Sequence, residues 1–271
     1  LIHKLRAYGI DGQLLNVIKS FLSNRFQRVV LPAGFSSYLP VTSGVPQGSV
    51  LGPLLFLLYI NDVTDIFNNT ASIKLYADDL KIYMDICSDS DIDKLQNCID
   101  SLCQWSNVWQ LSLSVGKCFH MRVGFAKQHT QPLYNINQVA LNSVSELRDL
   151  GVLMDSHLSF ASHVKQIVSK AHIRANQILR CFVSKDRDCL VKAFVTYVRP
   201  ILEYCSIIWN PYHITLINKL ESVQRSFSKR LTGLCNLSYD DRCLKLSLER
   251  LELRRLKQDL IYCYKIIHGL T

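Results

Sequence analysis

Apolar residues recur at helical spacing near the start of the chain, where Leu14, Leu15, Ile18, Phe21 and Leu22 share one stripe. The pattern predicts helices over 3–8 and 12–22, with Gly9 and Gly12 as breaks. Alternating runs predict strands over 28–32 and 38–42, joined by Ala33-Gly34. Residues 43–52 are punctuated by Gly and Pro and read as loop. An apolar helix follows to about residue 66, with Ser49 placed to cap it and Pro53 in its first turn. Two short alternating runs, Ile73 to Ala77 and Leu80 to Met84, predict a hairpin with Asp78-Asp79 at its turn, although no Asn-Gly or Asp-Gly signature is present. Ile92, Leu95, Ile99, Leu102 and Trp105 then form the stripe of a helix starting at Ser88 or Ser90. Such a stripe is core packing rather than a cofactor box. Strands are expected near 117–124, 133–136 and 150–154. Beyond Asp155 only helical periodicity remains, over 160–181, 188–198, 200–208, 215–231 and 248–267. The fold class is therefore α+β over 1–154 followed by an all-α part over 155–271. No Gly/Ser or Pro linker marks the change, so close packing of the two parts is expected.

Composition sharpens this division. A length of 271 residues admits two domains, and 48% apolar residues suffice for a core. Residues 1–154 carry twelve Lys/Arg and twelve Asp/Glu, whereas 155–271 carry nineteen against ten, so the whole excess of +9 lies in the helical part. A basic unit suits a polyanionic partner, because neutralised phosphates release counterions; an ordinary solvated face is the alternative. The ten cysteines include no C-x-x-C pair and no His pair at zinc spacing, so no structural zinc is expected. Buried free thiols in a reducing intracellular compartment account for them. The longest strongly apolar run, 50–60, is too short to span a bilayer, and no signal peptide is visible.

Adjacent carboxylates at a turn repel one another unless a cation sits with them. Hard divalent cations suit such a pair: Mg²⁺ takes one or two carboxylates together with substrate phosphates. Two such ions about 3.5–4 Å apart clamp the attacking and leaving oxygens of a phosphoryl transfer. Taken alone, Asp78-Asp79 is also an ordinary solvated turn, which is the commoner case. Upstream, SGVPQGSVLGP (43–53) offers Gly44 and Gly48, where backbone can approach a ligand without a Cβ. Gln47 is an uncharged donor and acceptor suited to a base edge or sugar. Taken alone, this segment is a Gly-Pro turn leading into a buried helix.

Together, SGVPQGSVLGP and LYADD (75–79) resemble a reverse transcriptase. Tyr59-Ile60-Asn61-Asp62-Val63 is similar to the non-LTR, LINE-type branch. Residues 1–28 resemble the stretch after the first catalytic segment, and Lys117-Cys118 the Lys-Cys strand after the acidic hairpin. LRDLGVLMDSHLSF (147–160) is similar to the primer-grip region. VRPILEY (198–204), WNPY (209–212) and ESVQR (221–225) resemble the helical region of jockey-like elements, so the likeness covers essentially the whole chain.

The resemblance implies a partial right-hand polymerase palm with a remnant of fingers over 1–154, and a basic thumb-like domain over 155–271. It implies an RNA-directed DNA polymerase in which a primer 3′-hydroxyl attacks the α-phosphate of a deoxynucleoside triphosphate and pyrophosphate leaves. The implied partners are an RNA template, a DNA primer or target and deoxynucleoside triphosphates, in a ribonucleoprotein of nucleus and cytoplasm; no membrane is expected. Asp78 would be a direct ligand of Mg²⁺, with Mn²⁺ as the alternative ion, and Asp79 would hold the site and the primer end. Gly44, Pro46, Gln47 and Gly48 would shape the pocket for templating base and nucleotide. Tyr76 and Ala77 would pack beside the acids. Lys117 would neutralise or protonate the pyrophosphate, the alternative being a solvated lysine at a strand end. Arg225, Lys229 and Arg230, with Arg254, Arg255 and Lys257, would contact the duplex backbone, and Arg25 and Arg28 the template.

The departures carry expectations too. The related elements place their first metal-binding aspartate, and the aromatic that screens ribose from deoxyribose, on a strand expected just before Leu1. Neither is among these residues, nor are most of the fingers or the usual endonuclease. A fragment or truncated copy is expected, one that binds metal poorly and does not polymerise alone while its parent does. Ser114 stands where related elements usually have Asn. The alternative from another class is a degenerate remnant that binds nucleic acid without chemistry. A maturase or telomerase-type relative is disfavoured by 209–212 and 221–230, and an RNA-templated RNA polymerase by Ala77 in place of Gly.

Overall fold

A computed structural model describes residues 1–67, 70–124 and 132–270. The chain opens with α1 (Ile2–Ala7), α2 (Gly12–Leu22) and four short strands, β1 (Phe26–Gln27), β2 (Val30–Leu31), β3 (Gly34–Phe35) and β4 (Leu39–Pro40). Helix α3 (Leu51–Ile60) continues into 3-10 turns over Asn61–Phe67, then come β5 (Ser72–Tyr76), β6 (Asp79–Tyr83) and α4 (Asp89–Trp109). Strands β7 (Phe119–His120), β8 (Asn135–Ile136), β9 (Val139–Ala140), β10 (Asn142–Ser143), β11 (Glu146–Asp149) and β12 (Val152–Asp155) follow. The remainder is helical: α5 (Ala161–Cys181), α6 (Arg187–Tyr197), α7 (Arg199–Glu203), α8 (Ser206–Trp209), α9 (Ile214–Lys229), α10 (Tyr239–Lys245) and α11 (Leu251–Ile267). The mixed α/β composition agrees with the expectation. The described residues divide into one unit of 1–118 with 132–141, and a second of 119–124 with 142–270.

In the first unit, α4 starts where the sequence places a cap. Ser88 and Asp91 close a capping box, with Asp91 Oδ2 accepting from the backbone N–H of Ser88 at 2.9 Å. The hydrogen bond from Lys94, and then that from Ser88, hold the Asp91 carboxyl below the usual carboxylate range. One flank of α4 buries Cys98, Leu102 and Trp105 against Ile60, Val63 and Phe67, and the inward side chains of the β5–β6 hairpin pack on this cluster. Ile99 and Cys103, on its other flank, meet Tyr134, Ile136 and Leu141. Lys4 fastens α1 to this core. Its Nζ donates to Tyr59 O and Asp62 Oδ1, each at 2.6 Å, and lies 3.7 Å from the Trp109 ring centroid. Desolvated cation–π contacts of this kind contribute about 2 kcal/mol. The strands expected over 28–32 and 38–42 reduce to β2 and β4, which do not pair with each other but form two-residue ladders, β2 with β3 and β4 with β1, whose residues are all exposed. The long strand expected over 117–124 reduces to β7, which belongs to the second unit and pairs parallel with β10.

In the second unit one apolar cluster joins α5, α6 and α9, with Phe194 stacked on Phe227 at 4.6 Å. The β11–β12 hairpin packs with these helices. Val152 lies in their core, and Leu153 N donates to Nδ1 of buried His163 at 3.1 Å. The Tyr204 hydroxyl donates to Leu150 O at the hairpin tip, 2.9 Å away. A boundary at 154/155 therefore falls inside this unit. Tyr204 is extended and Cys205 left-handed (φ +53°), so the helix expected over 200–208 breaks into α7 and α8. The WNPY segment is internal bracing. Trp209 is buried and its indole N–H donates to Tyr204 O at 2.7 Å; Asn210 accepts from Arg255 Nε at 3.0 Å and donates to Asp259 at 2.5 Å. Helix α10, capped by Ser238, is absent from the sequence reading. All ten cysteines are free; only Cys98, Cys103 and Cys243 are buried, which narrows the expectation of buried thiols. Among the described residues no helix is long and apolar enough to cross a membrane.

Candidate active site

The β5–β6 hairpin turns in two residues, Ala77 and Asp78, between the paired Tyr76 and Asp79. Ala77 has φ +52°, the left-handed region that costs a residue with a Cβ roughly 1–2 kcal/mol. Alternation sorts the side chains of the hairpin. Ile73, Leu75, Leu80 and Ile82 turn toward the α4 core, while Lys74, Tyr76, Asp79 and Lys81 are exposed on the other face. Asp78 is exposed at the tip beside Asp79. Lys74 and Lys81 oppose each other two register positions behind the Tyr76–Asp79 pair, on the same face. The hairpin thus carries an acidic tip on a basic stem. Like charges directly opposite on one face are unfavourable unless an anion joins them.

Two adjacent exposed carboxylates are hard oxygen donors and fit one or two positions around a divalent cation, leaving the rest to water and phosphate. No group of three or more His, Cys, Asp or Glu converges into a metal site among the described residues.

The glycine loop connects to this hairpin through α3 and the turns after it, because Phe56, Ile60, Val63 and Phe67 share the core beneath β5 and β6. Gly44 and Gly48 have φ of +74° and +76°, and a Cβ at either would meet nothing within 4 Å, so backbone conformation is what requires glycine there. Gln47 is exposed and Pro46 half-buried. Val50, not Ser49, occupies the N-cap position of α3, but Ser49 just before it still bonds the first turn: its Oγ accepts from Gly52 N at 3.0 Å and donates to Pro46 O at 2.6 Å. Two residues shape this loop in ways the sequence reading misses. Gly52 lies so close under it that a Cβ would stand 2.6 Å from Pro46 O. Arg25, expected on the template, donates to Gly44 O at 2.6 Å and Ser43 O at 3.3 Å, stapling the loop. Arg28, the other expected template contact, lies over the rings of Phe35 and Tyr38.

Lys117 ends a 3-10 turn and is exposed; its neighbours Val115 and Cys118 pack in the cluster that includes Ile82 of β6. The six expected backbone-contact residues lie in the helical unit. Arg225, Lys229 and Arg230 are exposed on α9, with Arg225 over the Tyr239 ring. Arg254 is paired with Glu203, and Lys257, 56% exposed, with Glu249. Arg255 corrects the expectation. It is 1% exposed, with Asn210 on its Nε, so it cannot reach a polyanion at the surface. Burial lowers its pKa against the pull of Glu221, Glu252, Glu203 and Asp259.

The acidic hairpin turn and the glycine loop are joined through α3, whose Phe56 and Ile60 lie in the hairpin's core and whose Leu55 and Leu58 pack with Val45 of the loop. The chain belongs to the reverse transcriptase (RNA-dependent DNA polymerase) family, whose model matches residues 1–154. Within it, the similarity is to non-LTR retrotransposon polymerases. The RNA-directed DNA polymerase from mobile element jockey of Drosophila funebris is 28% identical over 243 residues, 86% of this chain and 26% of that protein. The protein named for transposon X-element of Drosophila melanogaster is 27% identical over 235 residues, 83% of this chain and 25% of its own length. The Pol polyprotein from the type-1 retrotransposable element R1 of Nasonia vitripennis is 25% identical over 195 residues, 67% of this chain and 58% of its own. The chain thus spans about a quarter of the length of the first two.

Proposed function

We propose that this chain serves RNA-directed DNA synthesis, with the unit of 1–118 and 132–141 as palm and remnant fingers and the helices of the second unit as a basic thumb-like part. The observation that carries the reading is the Asp78-Asp79 tip, exposed on a hairpin whose other face is half-buried against a core, in a member of the reverse transcriptase family. The primer 3′-oxygen bonds to the α-phosphorus of a deoxynucleoside triphosphate, the bond to the bridging oxygen breaks, and pyrophosphate leaves with that electron pair. Asp78 and Asp79 would hold Mg²⁺, or Mn²⁺, whose chemistry is to neutralise charge on the reacting phosphate and to favour the alkoxide form of the primer end. Gly44, Pro46, Gln47 and Gly48 present backbone and an amide to the templating base and nucleotide. Tyr76 and Ala77 set the height of the acids, and Lys117 meets charge on the departing pyrophosphate. Arg225, Lys229, Arg230, Arg254 and Lys257 touch phosphate backbone. The setting proposed is a ribonucleoprotein of nucleus and cytoplasm under reducing conditions.

A two-carboxylate set holds a hard dication weakly, so the 271 residues alone are expected to polymerise little or not at all. The test therefore reads the metal first. Mn²⁺ added to isotopically labelled chain broadens backbone resonances of Tyr76 to Leu80, and Asp78→Asn abolishes that broadening. Any extension of a DNA primer on an RNA template is lost in the same variant. Broadening that ignores Asp78→Asn, or extension that survives it, overturns the assignment. Nucleic-acid binding with neither broadening nor extension would leave the non-catalytic binder.

A further inference from the structure

We infer that α11 pairs with α11 of a second copy of the chain, in register and parallel, as a short two-stranded coiled coil. The helix has two opposite faces. Leu251, Arg255 and Gln258 turn inward. On nearly the opposite side Leu253, Leu256, Leu260, Cys263 and Ile267 follow one another at steps of three, four, three and four. These are the a and d positions of successive heptads, a seam narrower than the broad stripe of a helix packed on a domain. All five are exposed, the aliphatic ones from 44% at Leu253 to 79% at Ile267. Every residue from 260 to 267 is exposed, so the second half of the helix meets little else among the described residues. Its start is held firmly. Glu221, 4% exposed, accepts from the N–H groups of Leu251 and Glu252, and Arg254 is paired with Glu203. The seam is thus presented on a helix already fixed in place, which lowers the entropic cost of pairing.

The charges along the edges of the seam select what covers it. In a parallel pair, g of one helix faces e of the other, five residues further on. Glu252 at g therefore meets the partner's Lys257 at e, and two-fold symmetry makes the contact twice. Both side chains are exposed in the single chain, and Lys257, paired there with Glu249, would lie between two carboxylates. Asp259 at the next g meets the partner's Tyr264 at the next e, a hydroxyl donor. An antiparallel pair sets e against e and g against g. It offers Lys257 only lysine or tyrosine, and the acids only each other or Ile266. Opposite charges thus meet across the seam in one orientation, with a second copy of the same helix. From 253 to 267 the seam runs about 21 Å at 1.5 Å per residue, so a reversible association is expected rather than a permanent one. The proposal uses no residue of the acidic hairpin or the glycine loop.

The test is sedimentation velocity on the whole chain, reduced and free of nucleic acid, from about 1 to 100 μM, the span in which small interfaces assemble. The mass should rise with concentration from one chain toward two. Leu256→Glu/Leu260→Glu changes two exposed positions and should leave the circular dichroism unaltered while raising the dissociation constant about tenfold or more. Lys257→Glu should raise it about fivefold by setting two acids at each edge, and Glu252→Lys by a similar factor. An equimolar mixture of those two variants should recover the affinity of the unaltered chain, because opposite charges then meet again. Copper–phenanthroline oxidation should join Cys263 to the partner's Cys263, the two thiols giving up two protons and two electrons to the reagent's dioxygen. In the parallel pair they share a layer, at the Cα separation of about 4.4–6.8 Å that a disulfide spans. In an antiparallel pair Cys263 faces an a position instead. Cys235, exposed elsewhere, is the control for collisions. A chain that stays monomeric across the range overturns the proposal and gives the face to a partner of another kind. A dimer that ignores Leu256→Glu/Leu260→Glu, or one that links Cys263 no better than Cys235, overturns it as well.

Discussion

Gly52 illustrates how a single hydrogen can set the shape of a loop. It sits in the first turn of α3, where alanine would ordinarily be favoured by about 1 kcal/mol. Here the Cβ would press on Pro46 O at 2.6 Å and Ser49 Oγ at 2.9 Å, so loop or helix must move. Gly52→Ala is expected to destabilise the chain by about 1–3 kcal/mol in urea unfolding, the cost of overpacking. An unchanged midpoint would show that the loop yields freely. The chemistry of this region was more legible than its geometry. Asp78 and Asp79 announce themselves by their identity and by the alternation around them. Gly52 reads as an ordinary helix residue, because its demand comes from a carbonyl six positions upstream. Arg25 reads as a surface cation for the same reason: its acceptors, Ser43 and Gly44, lie far along the chain.

At the scale of elements, His163 couples the β11–β12 hairpin to the helical core. Burial, then the positive charge of Arg148, lowers its pKa below the ordinary value of 6.5. The folded state therefore binds fewer protons here than the unfolded state, and stability rises with pH. The contribution is fully present above pH 6.5 and is lost as the pH falls through 6.5 toward the folded value. Protonation would also end the hydrogen bond accepted from Leu153 N. Thermal unfolding from pH 7.5 down to 5.5 should show a falling Tm, and His163→Gln should flatten that slope. An equal slope in the variant would place the dependence elsewhere, His120 being the other histidine shifted downward by burial. Helix α11 shows where periodicity misleads. Leu253, Leu256 and Leu260 form an apolar stripe at helical spacing, yet all three are 44% exposed or more. The face that packs inward is that of Leu251, Arg255, Gln258 and Asp259. Asn210 accepts from Nε of the buried Arg255, whose two terminal nitrogens have no hydrogen-bond partner among the described residues, and nothing local to α11 signals that arginine's burial. Long helices such as α4 and α5 were legible because apolar stripe and buried face coincide. Helix α10 was not, because it is short and bounded by exposed polar residues.

At the scale of the molecule, protection should follow the cores rather than the presence of secondary structure. Leu220, Val223 and Phe227 are at most 1% exposed, whereas every residue of β1 to β4 is exposed. Amide hydrogen exchange should be slowest in the α5 and α9 core and fast throughout 26–40. Comparable protection in both would mean that the short ladders are held by more than their own hydrogen bonds. The charge asymmetry read from the sequence, neutral to 154 and +9 beyond, is a statement about totals. Glu221 changes what an approaching ion meets. Its carboxylate is consumed within the protein as the cap of α11, so the lone negative charge of α9 barely reaches the solvent. The electric field outside that helix is accordingly more positive than its residue count suggests. Moving this one acid outward would dim the field while also unseating a neighbouring helix.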